Sequence, residues 1–172
     1  VASAKATKLT EANVNANLGN PFSWFLDSET ILVKMLPKNR QPLLDSKKDL
    51  PTGPIISNTS GEKSQNRTYP DMLKNKNDET NFENIITSEL YKVNINGTAA
   101  LFKEAAMYAG ERISPDGNYI MLTTIQKPFS YVVPLNRFPS KTVVYDKNGA
   151  EINVVNEVPL NEVIPKGFMA VR

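Results

Sequence analysis

The sequence has 172 residues, of which 40% are hydrophobic and 22% charged, a composition typical of one globular domain. Its 20 basic and 18 acidic residues are scattered and give a net charge of +2, so the basic stripe of a nucleic-acid-binding protein is missing and no nucleic-acid partner is expected. No apolar run approaches the roughly 20 residues of a membrane helix, so we expect no membrane span. The chain starts at Val1 without a signal-peptide pattern, which suggests a processed chain or a boundary inside a longer protein.

Histidine and cysteine are both absent. Ser-His-Asp and Cys-His catalysis need an imidazole to take the proton of the nucleophile, so neither can operate within this chain. Disulfides and zinc sites built from His or Cys are excluded as well. Carboxylate or lysine chemistry remains open, but Glu79 and Glu83 have the i, i+4 spacing that is typical of a solvated helix face. We therefore predict no catalytic residue, no cofactor and no metal site.

Strand patterns dominate the first part of the chain. Residues 22–26 and 30–36 are predicted strands, joined by a turn at Asp27 and Ser28. Residues 38–80 then lose apolar periodicity and contain many Pro, Asn, Ser and Lys residues, which predicts a long excursion with at most a helical turn at 69–74. The apolar pattern expected of regular structure returns at 82–86.

Two hairpins and an Asp-containing turn organise the second part. Asn96-Gly97 and Asn148-Gly149 predict hairpins with type I′ turns, because Asn and Gly tolerate positive φ. Between them, Pro115-Asp116-Gly117 predicts a further turn. The predicted strands are 89–95, 98–103, 111–114, 119–125, 142–146 and 151–155, with one more beginning at 167–171.

The predicted strands and turns form two units in which they follow the same order. Asp27 and Asp116 lie 89 positions apart, and Gly97 and Gly149 lie 52 apart, so the first unit is longer by 37 residues. Four strands in about 40–50 residues is the size of one β-propeller blade. We predict an all-β fold of antiparallel four-stranded blades, a partial propeller of about two blades plus flanking strands. A β-sandwich fits the same pattern. The single unit 1–172 would comprise one blade at about 20–104 with a long insertion at 38–82, a second at about 107–157, and the start of another at 164–172.

Several segments resemble the prolyl oligopeptidase family of serine peptidases. Ser114 to Tyr119 (SPDGNY) is similar to its propeller signature, although the first unit departs from it with Leu26 to Glu29 in the same place. Four longer stretches of this chain resemble glutamyl endopeptidase-like members of the family. These are 51–54 (PTGP), 67–79 (RTYPDMLKNKNDE), 127–139 (KPFSYVVPLNRFP) and 158–168 (VPLNEVIPKGF).

The resemblance implies a large parent peptidase in which an N-terminal propeller caps a C-terminal α/β-hydrolase domain with a Ser-Asp-His triad. This chain has no G-x-S-x-G elbow and no histidine, so it would be a non-catalytic fragment that gates or filters peptide substrates. The expected partners are the hydrolase domain of the same parent, peptide substrates, and further copies through open blade faces. Bacterial members imply a periplasmic or secreted protein, plant members are plastid proteins, and a cytoplasmic location is the alternative. The alternative function is a stand-alone β-rich binding or adhesion module of a bacterial envelope.

Candidate substrate contacts are arginines, because their guanidinium binds a carboxylate through two hydrogen bonds. They are Arg67, Arg112 and Arg137, with Tyr69 and Tyr131 near them in sequence. The alternative is that these arginines lie on solvated loops or pair with local acids. The strand aromatics Phe22, Trp24, Tyr91 and Tyr145 are predicted to be core residues.

Overall fold

The computed structural model describes residues 6–45 and 72–163, which form two four-stranded antiparallel sheets and one α-helix. The predicted all-β class is confirmed. The first sheet has the order β1-β2-β3-β4 and the second β5-β6-β7-β8. The strands are β1 Phe22–Trp24, β2 Thr30–Met35, β3 Ser88–Asn94, β4 Ala99–Ala106, β5 Tyr108–Ile113, β6 Tyr119–Ile125, β7 Ser140–Asp146 and β8 Glu151–Val158. Helix α1 spans Lys76–Ile86, and a 3-10 turn spans Leu135–Arg137.

The eight predicted strands between residues 22 and 155 are all present, while the ninth, at 167–171, lies outside the described residues. Helix α1 was missed, because the excursion was predicted to run without regular structure to about residue 80. Half of the helical turn predicted at 69–74 is outside the described residues, and 72–74 are not helical. The apolar face of α1 consists only of Phe82, Ile85 and Ile86 near its C-terminal end, which is too short a pattern to stand out in sequence.

Both predicted hairpins form, but their turns are not type I′. Gly97 and Gly149 have φ of 89° and 91°, whereas Ser28 is the only residue other than glycine with positive φ in the described ranges, so neither Asn96 nor Asn148 has it. Each turn is a type I turn followed by a left-handed glycine. The reason is an Asx bond, because Asn94 Oδ1 and Asp146 Oδ1 accept the amides of Asn96 and Asn148 at 3.0 and 2.8 Å.

The two sheets repeat each other in register as well as in order. Adding 89 to the residue numbers of the first two strands, and 52 to those of the next two, converts cross-strand pairs of the first sheet into cross-strand pairs of the second. Corresponding pairs are Trp24–Ile31 with Ile113–Ile120, Thr30–Asn94 with Tyr119–Asp146, and Val93–Ala99 with Tyr145–Glu151. Equivalent positions of the two sheets can therefore be compared one by one.

The sheets pack together through opposite faces. We call the face that carries Leu32 and its equivalent Met121 the front face, and the face that carries Ile31 and its equivalent Ile120 the back face. The main core joins the front face of the first sheet to the back face of the second. Its buried residues are Phe25, Leu32 and Leu90 from the first unit, and Tyr108, Ile120 and Leu122 from the second. The packing is head-to-tail, as in a stack of successive repeats.

Three lysines of the first sheet reach across this interface. Lys34 Nζ lies 2.9 Å from Glu111 Oε2 in an ion pair whose side chains are only 3% and 5% exposed, and it donates to Leu18 O at 2.8 Å. Lys92 donates to Lys147 O, and its Nζ lies over the ring of Phe102 at 4.6 Å. The Lys103 ammonium lies 3.9 Å from the ring centroid of Tyr145, a close cation–π contact.

The back face of the first sheet is only partly covered. Ile31, Val33, Met35 and Val93 are buried there with help from Leu9 of the N-terminal segment. The exposed fractions of Phe22 and Trp24, however, are 50% and 53%. Their prediction as core residues was wrong, because no second sheet covers this face in the described part of the chain. Tyr91 and Tyr145 do pack against core clusters, as predicted.

Replacing Gly149 with alanine should destabilise the fold more than replacing Gly97. Both glycines have φ near +90°, so each substitution carries a backbone cost of about 1 kcal/mol. A Cβ on Gly149 would also lie 3.2 Å from Phe102 O, whereas a Cβ on Gly97 meets nothing within 4 Å. Urea unfolding of the two variants measures the difference, and equal losses would contradict the close approach of the second hairpin to the first sheet.

Replacing Lys34 with methionine should destabilise the fold by about 3–5 kcal/mol, because it leaves the Glu111 carboxylate buried without its counter-charge. The double variant Lys34→Met, Glu111→Leu should regain most of that loss, since both charges are then removed together. The same urea experiment measures both proteins. A double variant as unstable as the single one would show that the ion pair is not what couples these positions.

Candidate functional site

The long connections of both sheets meet at one end of the molecule, which we call the connection end. The β2–β3 connection contains α1, and the β6–β7 connection comprises residues 126–139. Contacts between Glu83 of α1 and Lys127, and between Phe82 of α1 and Phe129, bring the two connections together. The hairpin turns lie at the other end of each sheet. Loops on a rigid sheet scaffold are where binding residues usually occur, so the connection end is the candidate site.

Local sequence signals determine where α1 begins. The Asn75 side chain accepts the amide of Asp78 at 2.9 Å and is the N-cap. Asp78 and Glu79 then lie in the first turn, where the helix dipole favours negative charge.

Asn15 fixes the other end of the helix. Its exposed fraction is 3%, and its Nδ2 atom lies 3.0 to 3.1 Å from Ile85 O, Thr87 O and Ser88 Oγ. Its Oδ1 accepts the backbone amide and the side-chain amide of Asn17. One buried side chain therefore donates to two carbonyls at the end of the helix, where the helix itself supplies no amide donors, and Asn17 Nδ2 adds a contact to Ile85 O at 3.4 Å.

Three phenylalanines form the apolar centre of the connection end. Phe82 of α1 meets Phe129 and Phe138 edge-on, with ring centroids 5.2 and 5.9 Å apart, and the latter two rings stack at 5.5 Å. Phe129 and Phe138 are buried, together with Ile86, Ile125 and Val133. Aromatic pairs in these geometries add about 0.5–1.5 kcal/mol each beyond the area they bury.

The two glutamates of α1 bind the β6–β7 connection. Glu79 accepts hydrogen bonds from Tyr131 Oη at 2.6 Å and Lys76 Nζ at 2.8 Å, and Glu83 pairs with Lys127 at 2.7 Å. Burial alone would raise the pKa of Glu79, but the hydrogen bonds from Lys76 and Tyr131 outweigh it and hold this pKa below its usual value. The hydrogen bond to Glu79, together with burial, raises the pKa of Tyr131 to about 12. The glutamate pair, predicted as a solvated helix face, is instead a docking contact.

Arg137 and Tyr131 of the predicted site residues both lie at the connection end, but with structural partners. Arg137 Nη1 donates to Val163 O at 2.7 Å, and its own carbonyl accepts the amide of Asn161 at 3.1 Å. Ser130 Oγ donates to Glu162 at 2.7 Å nearby. Residues 160–163 are thereby held against the β6–β7 connection.

The other predicted site residues are not brought together. Arg112 lies on β5, exposed on the front face of the second sheet beside Met121. Arg67 and Tyr69 lie outside the described residues. The structure therefore assembles no arginine cluster for a carboxylate within 6–45 and 72–163, and any role of these residues in substrate contact remains a prediction.

The chemical possibilities of the connection end are those of a binding surface. An open groove beside it is lined mainly by apolar residues, which are Leu18, Ala109, Ile125, Pro134, Leu135 and Phe138, together with polar Thr123, Asn136 and Ser140. No group of three or more potential metal-ligating acids occurs within the described ranges. No helix in the described part of the chain is long and apolar enough to span a membrane.

Sequence reasoning missed three sets of residues that matter most. Asn15 was one of several polar residues in an unpatterned segment. Lys34 and Glu111 stand 77 positions apart, so nothing local indicated their pairing, although a lysine in the middle of the apolar run at 30–36 was an available signal. The exposure of Phe22 and Trp24 depends on what covers the face, which no strand pattern encodes.

Comparisons with known proteins relate this chain to peptidases. It is 34% identical over 166 residues to the probable chloroplastic glutamyl endopeptidase of Oryza sativa subsp. japonica, covering 96% of this chain. It is 32% identical over 153 residues, 88% of the chain, to the protein of the same name from Arabidopsis thaliana. The chain spans only 17% and 16% of the length of these relatives. No family model matches it, and no solved structure does.

Both relatives are plant proteins, which is at odds with the expected bacterial origin. Their chloroplastic names are compatible with a location outside the cytoplasm. A periplasmic or secreted location is not tested by them and stays a prediction.

Replacing Tyr131 with phenylalanine should loosen α1 from the connection end, because it removes the hydrogen bond to Glu79, which contributes about 1 kcal/mol. Hydrogen exchange of the amides of α1 should accelerate about fivefold, while exchange in β6 and β7 stays unchanged. Tyr119→Phe, at an exposed tyrosine on β6, is the matched control. A helix equally protected in both variants would contradict this role of Tyr131.

The same contacts should depend on pH. Since the folded-state pKa of Glu79 lies below the ordinary value of 4.5, its contacts stabilise the fold above pH 4.5 and are lost as the pH falls through the lowered value.

Proposed function

We propose that this chain is a non-catalytic β-propeller segment of a larger serine peptidase related to the glutamyl endopeptidases. In this proposal it helps to screen peptides before they reach an α/β-hydrolase domain of the same polypeptide. The observation that carries the proposal is the alignment itself, because 96% of the chain matches a stretch that is only 17% of the rice relative. A segment of that kind is one structural part of a long enzyme, and most of the enzyme lies elsewhere.

The head-to-tail packing of the sheets supports a propeller. Successive blades in a propeller present the front face of one sheet to the back face of the next, and the same arrangement joins the two sheets here. The first strands of the two sheets, β1 and β5, also contact each other, as the innermost strands around a common axis do. Each sheet is a four-stranded meander of the expected blade type.

The chemistry of the residues supports a non-catalytic role. The sequence has no histidine, so the general base of a Ser-His-Asp triad has to come from another part of the parent protein. The glutamates of α1, the residues nearest to an acid pair, are occupied by Tyr131, Lys76 and Lys127. What this chain offers a peptide or a neighbouring domain is a surface, and the connection end with its apolar groove is the part best suited to it.

A serine-reactive fluorophosphonate probe tests the proposal. The purified chain should show neither labelling nor cleavage of glutamate-containing peptides. The full-length polypeptide that contains it should be labelled at a serine outside these residues. Labelling of any serine within this chain would refute the non-catalytic assignment, and a full-length protein that is not labelled would refute the peptidase assignment.

The screening role has its own readout in the full-length protein. Phe82→Ala should detach α1 from Phe129 and Phe138 and thereby widen the connection end. Cleavage of long peptides should then rise relative to cleavage of a short peptide, with Leu44→Ala, at a half-exposed residue of the same β2–β3 connection, as the control. An unchanged ratio of long to short substrates would show that the connection end does not screen peptides.

A further inference from the structure

The two hairpin turns carry the same chemically labile pair of residues, Asn96-Gly97 and Asn148-Gly149. Asparagine before glycine is labile because glycine has no Cβ to shield its amide nitrogen from the side-chain carbonyl carbon of the asparagine. Attack by that nitrogen closes a succinimide ring and expels the side-chain nitrogen as ammonia. In both turns the glycine amide donates to a backbone carbonyl, at 2.8 and 3.0 Å, so this restraint is shared. A difference in reactivity has to come from other contacts.

The side chain of Asn96 is folded back over its own backbone. Its Oδ1 atom accepts the amide of Thr98 at 2.8 Å, an Asx turn that brings the side-chain carbonyl over the peptide bond to Gly97. The Thr98 amide thereby points at the oxygen on which negative charge develops during ring closure, which favours the reaction. All three residues are exposed, and a Cβ on Gly97 would meet nothing within 4 Å. The first turn therefore has an activated carbonyl and room to rearrange.

The group beside the first turn is neutral, whereas the group beside the second turn is a carboxylate. Asn94 Oδ1 accepts the amide of Asn96 at 3.0 Å, and Asp146 Oδ1 accepts the amide of Asn148 at 2.8 Å. Hydrogen bonds from the amides of Ala150 and Asn148 lower the pKa of Asp146, so its carboxyl group is ionised at neutral pH. The second turn thus carries a negative charge that the first turn lacks.

The Asp146 carboxylate opposes the reaction of Asn148 in two ways. It interacts with the amide of Gly149, whose proton has to leave before the nitrogen can attack. It also repels the negative charge that develops on the Asn148 side chain, with which it interacts directly. One unit charge at about 4 Å changes such a rate about fivefold even in water.

The second turn is also held against the first sheet. Gly149 O accepts a hydrogen bond from Lys103 Nζ at 3.2 Å, and Lys92 donates to Lys147 O. A Cβ on Gly149 would lie 3.2 Å from Phe102 O, so the turn has little free space. Ring closure changes the backbone geometry of the turn, and these contacts resist such a change.

We propose that Asn96 is a site of spontaneous backbone modification, whereas the fold protects Asn148 from the same reaction. The Gly97 nitrogen forms a bond to Asn96 Cγ, the bond from Cγ to Nδ2 breaks, and ammonia leaves with the proton of the Gly97 amide. Water then opens the ring at either carbonyl and gives aspartate or isoaspartate, without an oxidant or a reductant. The product has one more negative charge. This inference concerns the hairpin turns and does not depend on the peptidase proposal.

Peptide mapping by mass spectrometry follows both asparagines in one sample during incubation at mildly alkaline pH. In the folded chain, conversion at Asn96 should be faster than conversion at Asn148 by about tenfold or more, the product of the charge effect and the backbone contacts. In urea the two rates should become similar, because each asparagine precedes a glycine. Equal rates in the folded chain, or faster conversion at Asn148, would overturn the proposal. So would an unchanged Asn96 over a period in which the unfolded chain is fully converted.

Exchanging the groups beside the two turns tests the cause of the difference. Asp146→Asn removes the charge but keeps an oxygen acceptor for the Asn148 amide, so conversion at Asn148 should accelerate about fivefold. Asn94→Asp is the reciprocal change and should slow conversion at Asn96 by a similar factor. Each variant leaves the other turn unaltered, which provides a matched control in the same molecule. Rates that respond to neither exchange would overturn the protective role of Asp146.

Discussion

The ion pair between Lys34 and Glu111 ties the two sheets together in the middle of an otherwise apolar interface. Its atoms are 2.9 Å apart, and both side chains are almost completely buried. At this distance the ammonium of Lys34 directly compensates the charge on Glu111 Oε2. Separating such a pair leaves a buried charge without compensation, which costs several kcal/mol. We infer that this penalty helps to fix which face of the second sheet meets the first, and how the two are aligned.

Head-to-tail packing follows from that alignment and determines which faces of the two sheets remain outside the interface. Two equivalent sheets that use opposite faces always leave one open face of each kind at the ends of the stack. The back face of the first sheet is covered at its centre by Leu9 and leaves Phe22 and Trp24 exposed on β1, whereas the front face of the second sheet is more polar and carries Arg112.

The connection end depends on the same alignment for its assembly. Helix α1 belongs to the first unit, and Phe129, Tyr131 and Lys127 belong to the second, so their contacts exist only when the sheets are correctly aligned. Asn15 then holds the end of α1 by donating to the carbonyls of Ile85 and Thr87, and Asn17 adds a longer contact to Ile85 O. The acidic residues of the helix serve docking here, and their pairing with Lys127 and Tyr131 leaves an apolar groove beside them as the accessible surface.

The sequence by itself determined the strands, their pairing into two repeated units and the absence of triad chemistry, because apolar alternation, turn residues and the lack of histidine are local properties. It also determined that Asp27 and Asp116 occupy equivalent turns, although Ser28 replaces the glycine at 117. Only the tertiary structure decided the turn geometry at Asn96, the existence of α1, the exposure of Trp24 and the partner of Lys34. The exposure of Trp24 and the partner of Lys34 depend on long-range contacts, and a position 77 residues away in sequence leaves no trace in the periodicity of a strand. The turn at Asn96 depends on a local bond, from its amide to Asn94 Oδ1, that an Asn-Gly pair by itself does not indicate. Arg137 and Tyr131, predicted as substrate contacts, both lie at the connection end, but the bonds to Val163 and Glu79 that hold them there came from the fold.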